Sequence, residues 1–316
     1  PHYANLYTST LSLDKYLCVI EDSDSYLSFV NLQDGNTVTK HKAKLNRFAM
    51  HPSKNIFALC NSSIIQVFNL DNNQRLSNFN LPEDQTVRYL KWIDDDTIAF
   101  ASNKSFFHWE IKQKDPKEMF VLNPEFATGN ILNCSVSCDK QWFAVSAVVR
   151  VENSTAGKVQ LFSYERNISQ IIDGFPASFA SCLDHHPLLL FTTKNDCQVG
   201  LNVIALGNSQ FARDFGKKYV DLPSLSDKKD NPLHIIISPR YKTAFILTTY
   251  GHLYCVEIET PCAFISTTIS KSNISAAALT HDDGIIVLST DGKLNKYCLD
   301  SSTISKSNIS AAALTH

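Results

Sequence analysis

Few side chains in this sequence are spaced to do chemistry. His185-His186 precedes Pro187 at an expected strand end; neighbours on a strand point to opposite faces, so the two imidazoles would not converge on one metal ion. Cys134 and Cys138 are close in sequence, but no second Cys or His pair follows at the spacing a tetrahedral zinc site needs. Asp94-Asp95-Asp96 offers the donor type Ca²⁺ prefers, yet directly after Trp92-Ile93 it reads as a solvated turn. His108 sits in an apolar run and reads as a core or rim histidine. There is no G-x-S-x-G nucleophile elbow and no H-E-x-x-H pair. With 10 glycines in 316 residues, no Gly-rich phosphate loop appears either. The expectation is a protein that is not an enzyme, with no catalytic residues, no metal and no cofactor.

Composition narrows the partners. The net charge of −2, from 29 basic and 31 acidic residues, argues against a grip on nucleic-acid phosphates. No apolar run approaches the ~20 residues of a membrane span, and runs such as Phe245-Ile246-Leu247 are soon broken by polar residues. We therefore expect no nucleic-acid partner and no direct membrane insertion. No secretory leader is evident, and a start at Pro1 suggests a processed or excised chain. Nine scattered cysteines do not make a disulfide framework. Most lie in apolar runs, as at Leu59-Cys60 and Tyr254-Cys255, where a thiol packs as a small hydrophobe; a reducing, cytoplasmic location is expected. The glycosylation-type triplet Asn153-Ser154-Thr155 carries little weight in a Ser- and Asn-rich chain.

The elements that would position any site are repeats. One pattern recurs seven times: apolar, any, apolar, apolar, any, apolar, then a turn. It begins at Leu27, Ile65, Phe106, Val159, Leu201, Leu253 and Leu294, with His108 and Lys296 at apolar slots of the third and seventh copies. The steps between copies are 38, 41, 53, 42, 52 and 41 residues. A second β-forming run precedes each copy, for example Tyr16–Ile20, Ile56–Leu59, Trp142–Val145 and Ile285–Leu288. A third short run ends before turns such as His51-Pro52 or Ser238-Pro239. Three or four strands per unit of about 40 residues is a propeller signature. The expected fold is all-β, a seven-bladed β-propeller of WD40-like architecture without a Trp-Asp signature, filling 1–316 as one domain. Asp214 to Lys229, charged and containing Pro223, is the clearest expected insertion loop. The fourteen residues Thr268–His281 recur verbatim as Thr303–His316. Blade repeats diverge, so this points to a recent duplication or to an artefact of the sequence, and it carries no functional weight.

From Gly157 to Ala180, reading GKVQLFSYERNISQIIDGFPASFA, the sequence closely resembles the fourth-to-fifth blade region of the clathrin heavy chain terminal domain. Further matches follow in the same order: Ser9-Thr10-Leu11, Gln66-Val67-Phe68-Asn69, Leu90-Lys91-Trp92-Ile93, His108-Trp109, Lys140-Gln141-Trp142 and Thr249–Tyr254. The resemblance runs over essentially the whole chain, as to a divergent member. It implies that family sequence precedes Pro1, and that a helical linker and long helical leg follow this region. It also implies a function, the capture of short linear motifs from endocytic adaptor proteins during coated-vesicle formation. The implied location is cytoplasmic, peripheral on coated pits and coated vesicles. Clathrin light chain and trimerisation would be reached only through the leg, which this chain lacks.

The resemblance carries three peptide sites. The groove between blades one and two, which takes clathrin-box-type peptides (acidic and leucine-rich), falls on His41, Phe57, Ile64, Gln66, Phe68 and Arg75, with Lys40 at the rim. Gln66 and Phe68 match the family. Phe57 stands for isoleucine, Ile64 for threonine, His41 for arginine and Asn73 for lysine, which implies weaker capture of acids, left to Arg75 and Lys40. The groove between blades four and five falls on Trp142, Leu161, Arg166, Ile168, Gln170 and Ile172, all matching in type. Ile168, Gln170 and Ile172 alternate, so an extended strand presents them on one side. We expect this groove to be the better retained. The hub site falls on Asn130, Leu132 and Val148, where apolar character carries over. Two other readings stand beside this one. A propeller scaffold of another trafficking or regulatory complex needs no such grooves. An enzyme would need His or carboxylate groups converging at the hub.

Overall fold

The computed structural model describes residues 9–12, 16–21, 26–31, 37–42, 45–151, 154–181, 186–280, 282–300 and 303–309. Its strands form seven four-stranded antiparallel sheets, each from consecutive segments. The first holds β1 (Ser9–Ser12), β2 (Tyr16–Glu21), β3 (Tyr26–Asn31) and β4 (Thr37–Lys42). The second holds β5 (Arg47–Met50), β6 (Ile56–Asn61), β7 (Ile64–Asn69) and β8 (Arg75–Asn80), and the third β9 (Val87–Trp92), β10 (Thr97–Ser102), β11 (Ser105–Glu110) and β12 (Lys117–Val121). After the short helix α1 (Pro124–Thr128) comes the fourth sheet, β13 (Asn130–Val136), β14 (Trp142–Val151), β15 (Ser154–Ser163) and β16 (Ile168–Asp173). The fifth is β17 (Ala177–Ser181), β18 (Pro187–Asn195), β19 (Gln198–Ala205) and, after helix α2 (Gln210–Phe215), β20 (Lys217–Leu222). The sixth is β21 (Pro232–Ser238), β22 (Thr243–Thr248), β23 (His252–Glu257) and β24 (Cys262–Thr268). The seventh is β25 (Ile274–Leu279), β26 (Ile285–Ser289), β27 (Leu294–Asp300) and β28 (Thr303–Ile309).

The described residues divide into two compact units. The first, within Pro1–Val121, Ser272–Asp300 and Ile304–His316, carries sheets one to three and seven; the second, within Leu122–Lys271 and Ser301–Thr303, carries sheets four to six. All seven copies of the sequence pattern are third strands, and the β-forming runs before them are second strands. Second and third strands are the most buried. All six residues of β10 and of β22 are buried, as befits strands covered on both faces. The fourth strands are polar and largely exposed, with β4 reading Thr-Val-Thr-Lys-His-Lys.

Alternation splits each sheet into two packed faces. In the first unit Ile56, Ala58, Cys60, Ile65 and Val67 pack with Leu90, Ile98, Phe100, Phe107 and Trp109 of the third sheet. From the opposite face of the second sheet, Phe48, Met50 and Phe57 pack with Cys18, Leu27 and Phe29 of the first. In the second unit Ala144, Val159 and Leu161 meet Ala177, Leu189 and Phe191. The other face of the fifth sheet, with Leu188, Leu190, Leu201 and Val203, meets Ala244, Ile246, Tyr254 and Val256 of the sixth.

The expected insertion loop is corrected. Asp214 lies in the last turn of helix α2, whose N-cap Ser209 accepts from the Ala212 amide. The helix stops at Gly216, with φ of 62°, a conformation glycine adopts without strain. Residues 217–222 then form the fourth strand of the fifth sheet. The irregular segment is only 223–231, and it is pinned: Leu225 and Asp230 are buried. The Asp230 carboxylate accepts from Thr248 Oγ1 at 2.7 Å and from the Tyr250 amide at 2.8 Å.

Candidate functional site: the seams between neighbouring sheets

Strand register fixes which side chains share a seam. On β15 and β16, Ser163 lies opposite Ile168, Leu161 opposite Gln170 and Val159 opposite Ile172. On β14, Trp142 lies opposite Ser163 and Ala144 opposite Leu161. Trp142, Leu161, Ile168, Gln170 and Ile172 therefore stand on one face of the fourth sheet, the face that packs on the fifth. Leu161 is buried and Trp142 and Ile172 half-buried, while Ile168 is 59% exposed and Gln170 is exposed. Arg166, in the turn between β15 and β16, donates from Nη2 to Asn208 Oδ1 at 2.8 Å, which bridges to the segment before α2. Five of the six expected residues thus share this face, and Arg166 lies in the adjoining turn.

The opposite wall was not found by sequence reasoning. Phe179 and Ile204 pack in the same cluster. By register, β20 sets Lys217 opposite Ile204 and Tyr219 opposite Asn202, which itself pairs with Phe191. Lys217 and Tyr219 thus face the fourth sheet, and Tyr219 is 52% exposed. The signal was present in Lys-Lys-Tyr-Val-Asp-Leu, whose alternation is masked because both faces carry polar residues.

The seam between the first two sheets is aromatic. Phe57 is opposite Phe68, Leu59 opposite Gln66 and Asn61 opposite Ile64. Phe57 stacks on Phe68 with ring centroids 5.6 Å apart and 17° between planes, and on Phe48 at 5.3 Å and 26°. Phe29 meets Phe48 and Phe57 edge-on at 5.5 and 5.7 Å, and His41 meets Phe29 edge-on at 5.6 Å. Each such pair contributes about 0.5–1.5 kcal/mol beyond its buried area. A bulge sets Arg75 and Leu76 against Phe68, and Asn78 lies opposite Gln66. Lys40 does not share this face. It lies opposite Ser28, on the side of β4 away from Phe29 and Leu27.

At the third expected site Asn130 lies directly opposite Val148, and Leu132 falls at a bulge between Ile131 and Asn133. Asn130 is exposed and the other two are half-buried. Other seams are closed by the chain itself. Between sheets two and three, Ser77 Oγ donates to the Ile111 carbonyl, and Phe79 packs on Phe100 and Trp109. Between sheets five and six, Tyr254 donates to the Pro223 carbonyl at 2.6 Å, and Lys218 Nζ sits 4.0 Å from the Phe215 ring centroid and donates to the Glu259 carbonyl.

The candidates for chemistry resolve into structure. Asp96 is bridged to Lys112 at 2.7 Å and Lys54 at 3.3 Å, which hold its carboxyl below the ordinary range. The Asp94 carboxylate accepts from the Asp96 amide at 3.0 Å. His186 stacks on Phe211 at 4.7 Å; His185 lies outside the described residues. Cys134 is buried and Cys138 exposed. Among the described residues, no three His, Cys, Asp or Glu side chains are grouped to hold a metal ion, and no helix is long and apolar enough to cross a membrane.

No family model matches the chain. It is similar along nearly its whole length to clathrin heavy chains. It is 27% identical over 305 residues to the clathrin heavy chain of Drosophila melanogaster, covering 93% of this chain and 18% of that protein. The probable clathrin heavy chain of Schizosaccharomyces pombe is 25% identical over 294 residues, covering 90% and 18%. Human clathrin heavy chain 2 is 23% identical over 310 residues, covering 94% and 19%. The chain thus spans under a fifth of the length of these relatives. Among solved structures, the Cps50 (Swd1) β-propeller domain of Myceliophteria thermophila matches with a TM-score of 0.61 at 10% identity, covering 97% of this chain and 96% of that one. A chain of the mitotic checkpoint complex matches with 0.66 at 12% identity, covering 95% and 88%. The fold is that of a β-propeller, with the seven four-stranded sheets as blades.

Proposed function

We propose that this chain is a non-catalytic peptide-reading module of a clathrin-type coat, a single propeller that captures short linear motifs of endocytic adaptors at coated pits and vesicles. What carries the reading is the seam between the fourth and fifth sheets. Exposed Ile168 and Gln170 continue outward from a packed base of Trp142, Leu161 and Ile172. A Gln between two isoleucines on one face is poorly explained by core packing. It is well explained by a bound strand, whose backbone needs hydrogen bonds and whose alternate side chains need apolar pockets. The closed seams between sheets two and three and between sheets five and six supply the contrast. Each site of this size binds weakly alone and gains strength when many copies are linked in a lattice; light-chain binding and trimerisation would belong to the leg.

The test is titration of the protein with labelled leucine-rich acidic peptides and their all-alanine controls. Saturable binding, lost in the controls and cut at least about tenfold in the Gln170→Ala, Ile168→Ser variant, is the expected result. Unchanged binding in that variant, shown folded by its melting curve, would sink the assignment of this seam. Both substituted side chains are exposed, so folding should survive.

A further inference from the structure

The seam between the first two sheets has walls whose charge is set by strand register. β4 places Thr39 opposite Phe29 and His41 opposite Leu27, whereas Lys40 and Lys42 lie opposite Ser28 and Tyr26. Phe29 and Leu27 pack toward the second sheet, so alternation turns Thr39 and His41 into the seam and both lysines to the other face. The facing wall offers Ile64, Gln66 and half-buried Phe68 from β7, with Leu76, Arg75 and Asn78 from β8. Leu76 is 44% exposed. The base is the stacked series Phe48, Phe57 and Phe68. Among the described residues, the seam therefore combines an aromatic floor, walls of Thr39, His41, Gln66 and Asn78, and one guanidinium at its Phe68 end.

We propose that this seam binds an extended peptide that presents an aromatic side chain among uncharged neighbours, with a single carboxylate met by Arg75. This rests on the reading of the seams as peptide sites and assigns this one a chemistry of its own. An incoming aromatic ring extends the series of stacked and edge-on contacts already built there. A run of carboxylates would lose hydration against Thr39, Gln66, Asn78 and Leu76, with Arg75 the one Lys or Arg turned to this face among the described residues, and so be disfavoured. Gln66 and Asn78, directly opposite each other, supply amide donors and acceptors for the peptide backbone.

The experiment uses the Gln170→Ala, Ile168→Ser protein, so that the other seam is silenced. Two labelled peptides are titrated: one centred on tryptophan with a single aspartate, the other leucine-rich with several acids. The aromatic peptide should bind at least about fivefold tighter, the scale of one well-placed ring contact. Leu76→Ser, on an exposed side chain, and Phe68→Ala should each weaken it severalfold. Arg75→Ala should weaken it about threefold, and only when the aspartate is present. His41→Arg should strengthen the acidic peptide and leave the aromatic one unchanged. Tighter binding of the acidic peptide, or aromatic binding indifferent to both Leu76→Ser and Phe68→Ala, overturns the specificity while leaving peptide reading intact. Failure of both peptides to bind even the unsubstituted protein overturns peptide reading itself.

Discussion

Gly157 shows how single positions shape the seam between sheets four and five. A Cβ there would lie 2.5 Å from the Gly174 carbonyl oxygen and 2.8 Å from Phe175 Cγ, and the Gly174 amide donates to the Gly157 carbonyl at 3.0 Å. The chain leaves β16 across this contact, in the strand pair that displays Ile168, Gln170 and Ile172. Gly157→Ala must push backbone aside, and is expected to cost about 1–3 kcal/mol. A drop in melting temperature together with weakened peptide binding is the result to look for; an unchanged melt would mean the backbone yields freely. At this scale much of the site was legible. The spacing Ile168-x-Gln170-x-Ile172 alone requires a shared face. The face that Lys40 takes was not legible, because a one-residue step on a strand exchanges faces and only the pairing of β4 with β3 settles it.

Elements were legible in proportion to their burial. Third and second strands announce themselves because covered faces demand apolar residues at fixed spacing. Fourth strands do not, since water reaches most of β4, β8 and β20 and places few demands on their composition. Thr39, Leu76, Asn78, Lys217 and Tyr219, which complete the two seams, lie on just those strands and were missed for that reason. The segment Asp214–Lys229 misled for a related cause, as charge and a proline concealed a helix end and a strand. Its irregular remainder is held by buried Asp230, bonded to Thr248 and Tyr250. Asp230→Ala leaves the Tyr250 amide and Thr248 hydroxyl without this acceptor. It is expected to cost about 1.5–3 kcal/mol, the range for a hydrogen bond to a charged group. Equal denaturant midpoints for variant and parent would show that the segment contributes little to stability.

Acid should lower stability in two pH windows. Burial lowers His51 and His252 below their ordinary 6.5. His51 Nδ1 accepts from the amides of Ser53 and Lys54 at 3.0 and 2.9 Å, an arrangement that needs the neutral ring. The unfolded chain therefore binds protons first, so this stability is complete above pH 6.5 and falls away as pH drops below it. Ion-paired Asp84 and Asp96, held low by Lys104 and by Lys112 with Lys54, add a second loss below their ordinary 3.8. Melting temperatures that stay level from pH 7.5 to about 5 would refute the first stage. A different consequence follows from the duplicated fourteen residues. Ile274–Leu279 forms one edge strand of the seventh sheet, while the verbatim copy supplies the other edge strand and then repeats the same six residues as 309–314. During folding two indistinguishable segments compete for the edge of β26, and chains that choose the second must undo the pairing before they reach the native order. Refolding should then partition into fast and slow populations, and deleting residues 310–316, which leaves β28 whole, should merge them into one.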